Sequence, residues 1–284
     1  MLAMKNVRLF AFLFPVACLL GCTVSTPMGQ IGASQSLTGN WQIQAGTAIT
    51  SPPATPYLVG DLQGTNSALS GTFTTGVGTA SPTVGSYSGS YNTSTGILSL
   101  QNPPSPGLPG TVATLSVPAN PAGLATGTLS FICEVCAGLT VTFPVVAAEI
   151  APVTGTYTGI LSGTLTTTSP VTSMPISGTA SMTFTQSTTP NSAGQFPLTG
   201  TVTFPSSSGI GTTTFPGLVS GITIELSTEP CIIPFRNVTC NVVGPGFVLF
   251  AYTNLAATQI TITSLNGSDE AGTGVTLTGT LTLQ

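Results

Sequence analysis

From Leu37 onward, apolar and polar side chains alternate with a period of two, which is the repeat of a half-buried β-strand. The clearest run is 275–283, where valine and leucine alternate with threonine. Threonine is β-branched and favours the pleated backbone while its hydroxyl faces water. One apolar face and one hydroxyl-bearing face on each strand predict antiparallel sheets. The side chains predicted to be buried include Leu98, Phe143, Phe184, Phe204, Ile224 and Phe250.

The strand-like runs recur roughly every 10–15 residues and are separated by clusters of Gly, Pro, Asn and Ser, such as 101–110 and 187–194. No run beyond Leu37 has the period of an amphipathic helix. The sequence therefore predicts an all-β fold. We expect an antiparallel β-barrel or β-sandwich built from two related halves, with no helix beyond the signal segment.

Residues 1–21 have the pattern of an export signal. Lys5 and Arg8 form a small basic region, and the apolar run that follows ends at Gly21. This run is shorter than the ~20 residues that a membrane-spanning helix needs. The sequence Leu19-Leu20-Gly21-Cys22 resembles the lipobox of bacterial lipoproteins, in which the cysteine becomes the acylated first residue of the mature protein.

The lipobox resemblance implies that Cys22 carries lipid and anchors the chain to a membrane. Residues 22–36 are small and polar, and we expect them to form a flexible tether. Thr23 stands where an Asp often retains a lipoprotein at the inner membrane, so the sequence favours the outer membrane. The alternative is an ordinary secretory signal that is cut near Ala33 and removes Cys22.

A short motif occurs twice in the folded region. Leu37-Thr38-Gly39-Asn40-Trp41 opens the first part, and Val153-Thr154-Gly155-Thr156-Tyr157 opens the second. We therefore predict a first β-rich half at 37–150 and a second at 151–284. A lipobox followed by two such opening strands resembles a group of β-rich bacterial lipoproteins of uncharacterised function. That resemblance implies an anchored β protein and no activity.

Charged residues make up 4% of the sequence, against about 25% in an ordinary globular protein. There is no histidine, and the three basic residues are Lys5, Arg8 and Arg236, so that only Arg236 remains once the signal is removed. Nucleic acid is excluded as a partner, because its phosphates require Lys and Arg. Arg236 is a candidate for binding an anionic group, and pairing with Glu225 or Glu229 is the simpler expectation.

Four cysteines follow the lipid-bearing one, and an exported compartment is oxidising, so we expect disulfides. Cys231 and Cys240 flank a loop containing Pro234, and a bridge between them would close that loop. Cys133 and Cys136 would then pair with each other. A redox dithiol and a four-cysteine zinc site are the alternatives, which the strand-like flanks and the spacing of the second pair disfavour. We expect no cofactor and no metal.

Catalytic groups are sparse in this composition. Without histidine there is no Ser-His-acid arrangement, and the mature chain has no lysine for a Ser-Lys pair. A pair of carboxylates could catalyse glycoside hydrolysis. The candidates are Asp61, Glu149, Glu225, Asp269 and Glu270. We expect each of these acids to be a surface charge and the protein not to be an enzyme.

The leading hypothesis is a membrane-anchored, exported lipoprotein with a non-catalytic binding or structural role in the cell envelope. Its hydroxyl-rich surface would suit a neutral glycan or another envelope protein. The aromatic side chains expected on that surface are Trp41, Tyr57, Tyr87, Tyr91 and Tyr157. Trp41, Tyr157 and Arg236 are the candidate ligand-binding residues. Two alternatives stay open: a carrier of a small apolar ligand inside a β-barrel, and a carbohydrate-active enzyme that uses a carboxylate pair.

Overall fold

The computed structural model describes residues 37–77, 81–103, 110–118, 123–133, 139–168, 170–228, 246–268 and 272–284. These parts of the chain contain sixteen β-strands and one three-residue 3-10 turn, Ser206–Ser208, and no α-helix. The strands form two closed antiparallel barrels of eight strands each. The all-β prediction is confirmed, and each half of the chain closes into a barrel of its own.

The first barrel has up-and-down topology, in which each strand pairs with the next and β1 closes on β8. Its strands are β1 (Gly39–Ala45), β2 (Tyr57–Thr65), β3 (Ala68–Gly76), β4 (Thr83–Asn92), β5 (Ile97–Asn102), β6 (Gly110–Ser116), β7 (Ala125–Cys133) and β8 (Leu139–Ile150).

The second barrel repeats this topology, and β16 closes it by pairing with β9. Its strands are β9 (Gly155–Thr168), β10 (Val171–Gln186), β11 (Phe196–Thr203), β12 (Thr212–Ser220), β13 (Thr223–Ser227), β14 (Gly246–Thr253), β15 (Gln259–Ser268) and β16 (Gly274–Leu283).

We call the end of each barrel at which its first strand begins the lower end, and the opposite end the upper end. The chain enters the first barrel at its lower end, at Leu37. At the upper end the β7–β8 hairpin extends past β1, because β8 begins at Leu139 whereas its pairing with β1 reaches only to Val145. The inner wall of this hairpin therefore has no facing residue of β1 beyond Val145.

The period-two pattern correctly assigns most inward faces. Four of the six side chains predicted to be in the core are buried, namely Leu98, Phe184, Phe204 and Ile224. Phe143 and Phe250 are only half-buried. Phe143 lies on the inner wall toward the upper end of the first barrel, and Phe250 lies on the outer wall of β14. In each barrel the buried inward-facing residues form one continuous apolar cluster.

Both copies of the opening motif combine a glycine that has a positive φ angle with a buried aromatic ring. Gly39 and Gly155 have positive φ angles, 147° and 121°. The Trp41 indole N–H donates to the backbone carbonyl four residues earlier (2.8 Å), and the Tyr157 hydroxyl donates to the Ala257 carbonyl (2.6 Å). In each copy the large aromatic ring fills the core near the start of the first strand.

The lower end of the second barrel packs against the outer wall of the first. Asn40 Nδ2 donates to the Gly221 carbonyl oxygen (2.8 Å), and the Gly221 N–H donates back to Asn40 Oδ1 (2.9 Å). Beside them, the Ile222 N–H donates to Gln42 Oε1 (3.0 Å). These four residues are buried. Because any shift would leave buried polar groups unpaired, these bonds fix how the two barrels meet.

A small apolar cluster completes this contact. Ala148 and Ile150, on the outer wall of β8, pack with Ile222 of the second barrel, and Tyr252 and Leu255 lie at the margin of the cluster. The contact thus combines apolar packing with directed hydrogen bonds.

Candidate functional site

Four neighbouring strands bring one row of inward-facing side chains together at the upper end of the first barrel. The register pairs Val141 with Phe131, Phe131 with Thr111, and Thr111 with Asn102. Facing residues of antiparallel strands point to the same side of the sheet. An apolar side chain, an aromatic ring and two polar side chains are therefore adjacent on the inner wall.

Two of these residues belong to a group that we call the polar cluster: Thr75, Tyr87, Asn102 and Thr111. The Tyr87 hydroxyl lies 2.9 Å from Thr75 Oγ1 and also hydrogen-bonds to the side chains of Thr111 and Asn102. Burial raises the pKa of the Tyr87 hydroxyl, and the three hydrogen bonds partly offset that shift. The phenol is therefore protonated at neutral pH and able to donate.

The polar cluster is held in place by close packing around the Tyr87 ring. Phe73 meets this ring edge-on, with ring centroids 5.2 Å apart. Gly85 precedes Tyr87 on the same face of β4, and a Cβ atom at Gly85 would lie 2.5 Å from Asn102 Nδ2. Glycine at this position leaves the space that the Asn102 amide occupies.

Apolar side chains lie beside the polar cluster at the upper end of the barrel, and we call Phe131, Leu139, Val141 and Phe143 the rim. Leu139 is 60% exposed and Val141 is 43% exposed, although the register directs both to the inner wall. The rings of Phe131 and Phe143 pack edge-to-face at 6.2 Å. Exposed apolar groups on the inside of a barrel end are available to contact a ligand.

A second phenol faces the interior of the first barrel nearer its lower end. Tyr91 is 4% exposed, and its hydroxyl oxygen has no hydrogen-bond partner in the part of the chain that the structure describes. Buried hydroxyl groups are usually paired. The interior of the first barrel therefore contains hydrogen-bonding capacity that its described side chains do not satisfy.

The second barrel has a different interior. Phe204 and Ile210, from the segment after β11, belong to its buried apolar cluster. Phe247 packs against Phe204 and Phe215, with centroid distances of 5.1 and 5.9 Å. The Tyr157 hydroxyl inside this barrel donates to a backbone carbonyl. Of the two described interiors, the first barrel's is the one with a buried cluster of hydroxyl and amide side chains.

The three carboxylates that the structure describes lie in different places. Asp61 is on the outer wall of β2, buried against the second barrel, and accepts the Thr72 N–H (3.0 Å). Glu149 pairs with the inward-facing Trp41 and so faces the interior at the lower end. Glu225 lies on the outer wall of β13. Among the described residues, these acids do not form the pair that glycoside hydrolysis requires.

Burial raises the pKa of all three carboxyl groups. Desolvation raises the pKa of Glu149 and of Glu225 to about 7. It also raises the pKa of Asp61, where hydrogen bonds from Thr72 and Gln63 partly offset the effect. The expectation of surface charges is therefore wrong for Asp61, which is buried, and Glu149 and Glu225 are half-buried.

All five aromatic side chains that were expected on the surface are buried. Four face the barrel interiors because they lie on the apolar face of their strands, and Tyr57 packs over Gly76 on the outer wall. Trp41 and Tyr157 are core residues with their polar atoms bonded to backbone carbonyls. A ligand in solvent could contact neither ring.

The outer wall of the second barrel carries the expected hydroxyl groups. One row crosses β9 to β12 and consists of Thr156, Thr183, Thr201 and Thr214. Its hydroxyls bond to one another in two pairs, each at 3.0 Å. Cross-strand threonine pairs stabilise a sheet, so this row has a structural role.

Several predicted site residues lie outside the described residues, namely Cys22, Cys136, Cys231, Cys240, Arg236, Asp269 and Glu270. Cys133 is the last residue of β7. Lipidation and the disulfides stay predictions. In the described parts, no helix is long and apolar enough to cross a bilayer, and no three Cys, Asp or Glu side chains group closely enough to hold a metal ion.

Sequence reasoning missed the polar cluster, although one signal was present. In β6, Thr111 falls on the same face as Ala113 and Leu115, which are apolar and buried. A hydroxyl on an otherwise apolar face, at the end of a strand, indicates a polar group directed into a barrel mouth.

No protein-family model and no curated protein matches the chain. Among solved structures, intact Ap-TbpB with its N and C lobes is 11% identical, with a TM-score of 0.25; the match covers 87% of this chain and 61% of TbpB. A protein of unknown function from the DUF3598 family of Nostoc punctiforme is 11% identical, with a TM-score of 0.26; the match covers 87% of this chain and 94% of that one. Both TM-scores are too low to carry an argument about function.

Proposed function

We propose that this chain is a non-catalytic, lipid-anchored binding protein of the bacterial cell envelope, which holds a small, largely apolar ligand at the upper end of its first barrel. The observation that carries this proposal is the rim, where Leu139 and Val141 face the inner wall and are nevertheless exposed. An eight-stranded barrel has an interior wide enough for side chains or for one small ligand.

The anchor is supported by the lipobox-like sequence that ends at Cys22. Metabolic labelling with an alkyne analogue of palmitate should mark the wild-type protein and leave a Cys22→Ser variant unmarked. Equal labelling of both proteins would rule out acylation at this cysteine. The outcome for the anchor does not depend on the outcome for the binding site.

The binding site can be tested with N-phenyl-1-naphthylamine, a neutral apolar probe that fluoresces when it leaves water. The purified full chain carrying Cys22→Ser is suitable, because no acyl group then competes with the probe. Adding Val141→Asp should weaken probe binding about tenfold or more, since it places an unpaired charge at the rim.

Ile160→Asp is the matched control. Ile160 is 62% exposed and lies on the outer wall of the second barrel, where it faces Thr179 across the strand pair. Its substitution should change probe affinity by no more than about twofold, as expected for an exposed surface site. Equal losses in the two variants, or no probe binding by the parent chain, would contradict a site at the rim.

A neutral glycan or another envelope protein remains the expectation for the hydroxyl-rich outer wall. A carbohydrate-active enzyme is supported less well, because Asp61, Glu149 and Glu225 lie on different walls. Replacing each acid by its amide and assaying a panel of glycosides would test that alternative. Cleavage by the parent chain that one replacement lowers by about a hundredfold or more would favour the enzyme.

A further inference from the structure

We infer that the ligand of the first barrel is an uncharged molecule with an apolar body and a single hydroxyl or carbonyl group, and that this polar group binds to Thr75, Tyr87, Asn102 and Thr111. This inference presupposes the binding role proposed above and specifies the chemistry of the ligand and the direction in which it enters.

The direction follows from the arrangement of the inner wall. Thr111 shares its row with Phe131 and the exposed Val141, and the next row toward the lower end holds Phe143, Leu129 and Ala113. Leu129 and Ala113 are fully buried. The polar cluster thus lies at the boundary between the exposed rim and the packed core. A molecule that enters at Leu139 reaches the row of Thr111 before the packed row of Leu129 and Ala113.

The cluster has hydrogen-bonding capacity for such a group. Each threonine hydroxyl offers one donor and two acceptor positions, and the Asn102 amide offers two donors and an acceptor oxygen. One contact of each side chain is directed at the Tyr87 hydroxyl. A ligand hydroxyl or carbonyl can use the remaining positions while the rim covers its apolar part.

The charges that the structure describes favour a neutral head group over an ionic one. On the described inner wall of the first barrel, the acidic side chain is that of Glu149, and it faces the opposite, lower end. The three basic residues of the chain are Lys5 and Arg8 in the signal segment, and Arg236, outside the described residues. A buried carboxylate or ammonium without a partner is strongly unfavourable, whereas a neutral group that is hydrogen-bonded is not.

The test compares 1-octanol, octane and octanoate, which share one chain length and differ in the head group. Each competes with N-phenyl-1-naphthylamine on the full chain carrying Cys22→Ser. Octanol should displace the probe at least about tenfold more effectively than octanoate, because the carboxylate would be desolvated without a cation. Octane reports the contribution of the apolar body alone.

Two variants test the polar cluster, and one serves as a control. Tyr87→Phe keeps the ring, and Thr111→Val keeps the shape of the side chain. Each should lower the affinity for octanol about five- to tenfold and change that for octane by less than about twofold. Ser99→Ala, on the exposed outer wall of β5, removes a hydroxyl outside the barrel interior and should leave both affinities unchanged. Thermal unfolding of each variant verifies that it is folded.

The outcomes separate the two proposals. If the probe does not bind at all, the binding role itself fails. If the probe binds and Val141→Asp weakens it, but octanoate competes as well as octanol, the rim is a site and the inference about a neutral ligand is wrong. A further outcome is that Tyr87→Phe and Thr111→Val weaken the binding of octanol and of octane equally, or leave both affinities unchanged. In either case the polar cluster does not bind the head group.

Discussion

Asn40 of the first barrel and Gly221 of the second form a reciprocal pair, in which the amide side chain accepts the glycine N–H and donates to its carbonyl oxygen. The backbone of Gly221 lies in a turn and has no neighbouring strand to pair with in the described structure. The Asn40 side chain supplies the hydrogen bonds that such a strand would make. Asn40 belongs to the opening motif of the first half, where the second half has Thr156. One copy of the motif therefore contains a residue that joins the two barrels.

The Asn40→Ala substitution should destabilise the protein by about 2 kcal/mol or more, because it leaves the buried N–H and carbonyl of Gly221 without partners. Urea unfolding of the full chain measures this loss. The control is Gln101→Ala, which removes an exposed amide from the outer wall of the same barrel and should change stability by less than about 0.5 kcal/mol. Equal effects would show that the pair does not couple the barrels.

Replacing Gly39 or Gly155 by alanine should cost about 1–3 kcal/mol at either position, because both have positive φ angles. At Gly155 the added Cβ would also lie 2.7 Å from Leu283 Cδ1. Gly211 is the control, since a Cβ there meets nothing within 4 Å. Thermal unfolding of Gly211→Ala should match the parent, and similar midpoints for all three variants would contradict the conformational requirement.

Two of the three phenols in the described barrel cores, those of Tyr157 and Tyr91, should respond in opposite ways to removal of the hydroxyl. Tyr157→Phe should destabilise by about 1–2 kcal/mol, because the buried Ala257 carbonyl loses its donor. Tyr91→Phe should be neutral or stabilising by up to about 1 kcal/mol, because the Tyr91 hydroxyl is buried without a partner in the described structure. A clear loss of stability in Tyr91→Phe would indicate a bound water or ligand at that hydroxyl.

Stability should fall as the pH rises from about 4.5 to about 7. The folded state raises the pKa of Glu149 from 4.5 to about 7, so across this interval the folded protein binds more protons than the unfolded chain. The stabilisation is complete below the unfolded pKa and is lost as pH rises through the folded one. Glu225 acts with the same sign.

The measurement is the midpoint of thermal unfolding at pH 4.5 and at pH 8. Glu149→Gln should show a smaller decrease between these two values than the parent does, because the amide does not titrate. Ser99→Ala, on the exposed outer wall of β5, should keep the full decrease. A parent-like decrease in Glu149→Gln would show that this carboxyl does not titrate as its burial predicts.

The strands could be predicted from the sequence because period-two alternation is a local property. Ile222, Ile224 and Leu226 alternate with Thr223 and Glu225, and all three apolar residues are buried. The choice between barrel and sandwich could not be predicted in this way. Closure depends on pairs such as Gln42 with Ala148 and Thr158 with Thr282, which join the ends of each half and leave no local pattern.

The assembled candidate site could not be predicted for a related reason, although Thr111 by itself gave a local signal. Alternation shows which residues of one strand point to the same side of the sheet. It does not show which residues of other strands lie next to them. Tyr87 was expected on the surface, whereas barrel closure turns its ring inward to join Thr75 and Thr111. The exposure of Val141 likewise depends on how far β8 extends past β1. Both features arise from register, which is a tertiary property.

The order of strands within each barrel also bears on how the chain acquires its structure. In each barrel every strand pairs with the strands that precede and follow it in the sequence, and one further pair closes the barrel. The closing pair is β1 with β8 in the first barrel and β9 with β16 in the second. A chain synthesised from its N-terminus can complete the first barrel as soon as Ile150 is free, before any strand of the second exists. The second barrel then forms beside a finished wall that already presents Asn40 and Gln42 to it. The topology thus permits sequential assembly, in which the first half is the template on which the second is oriented.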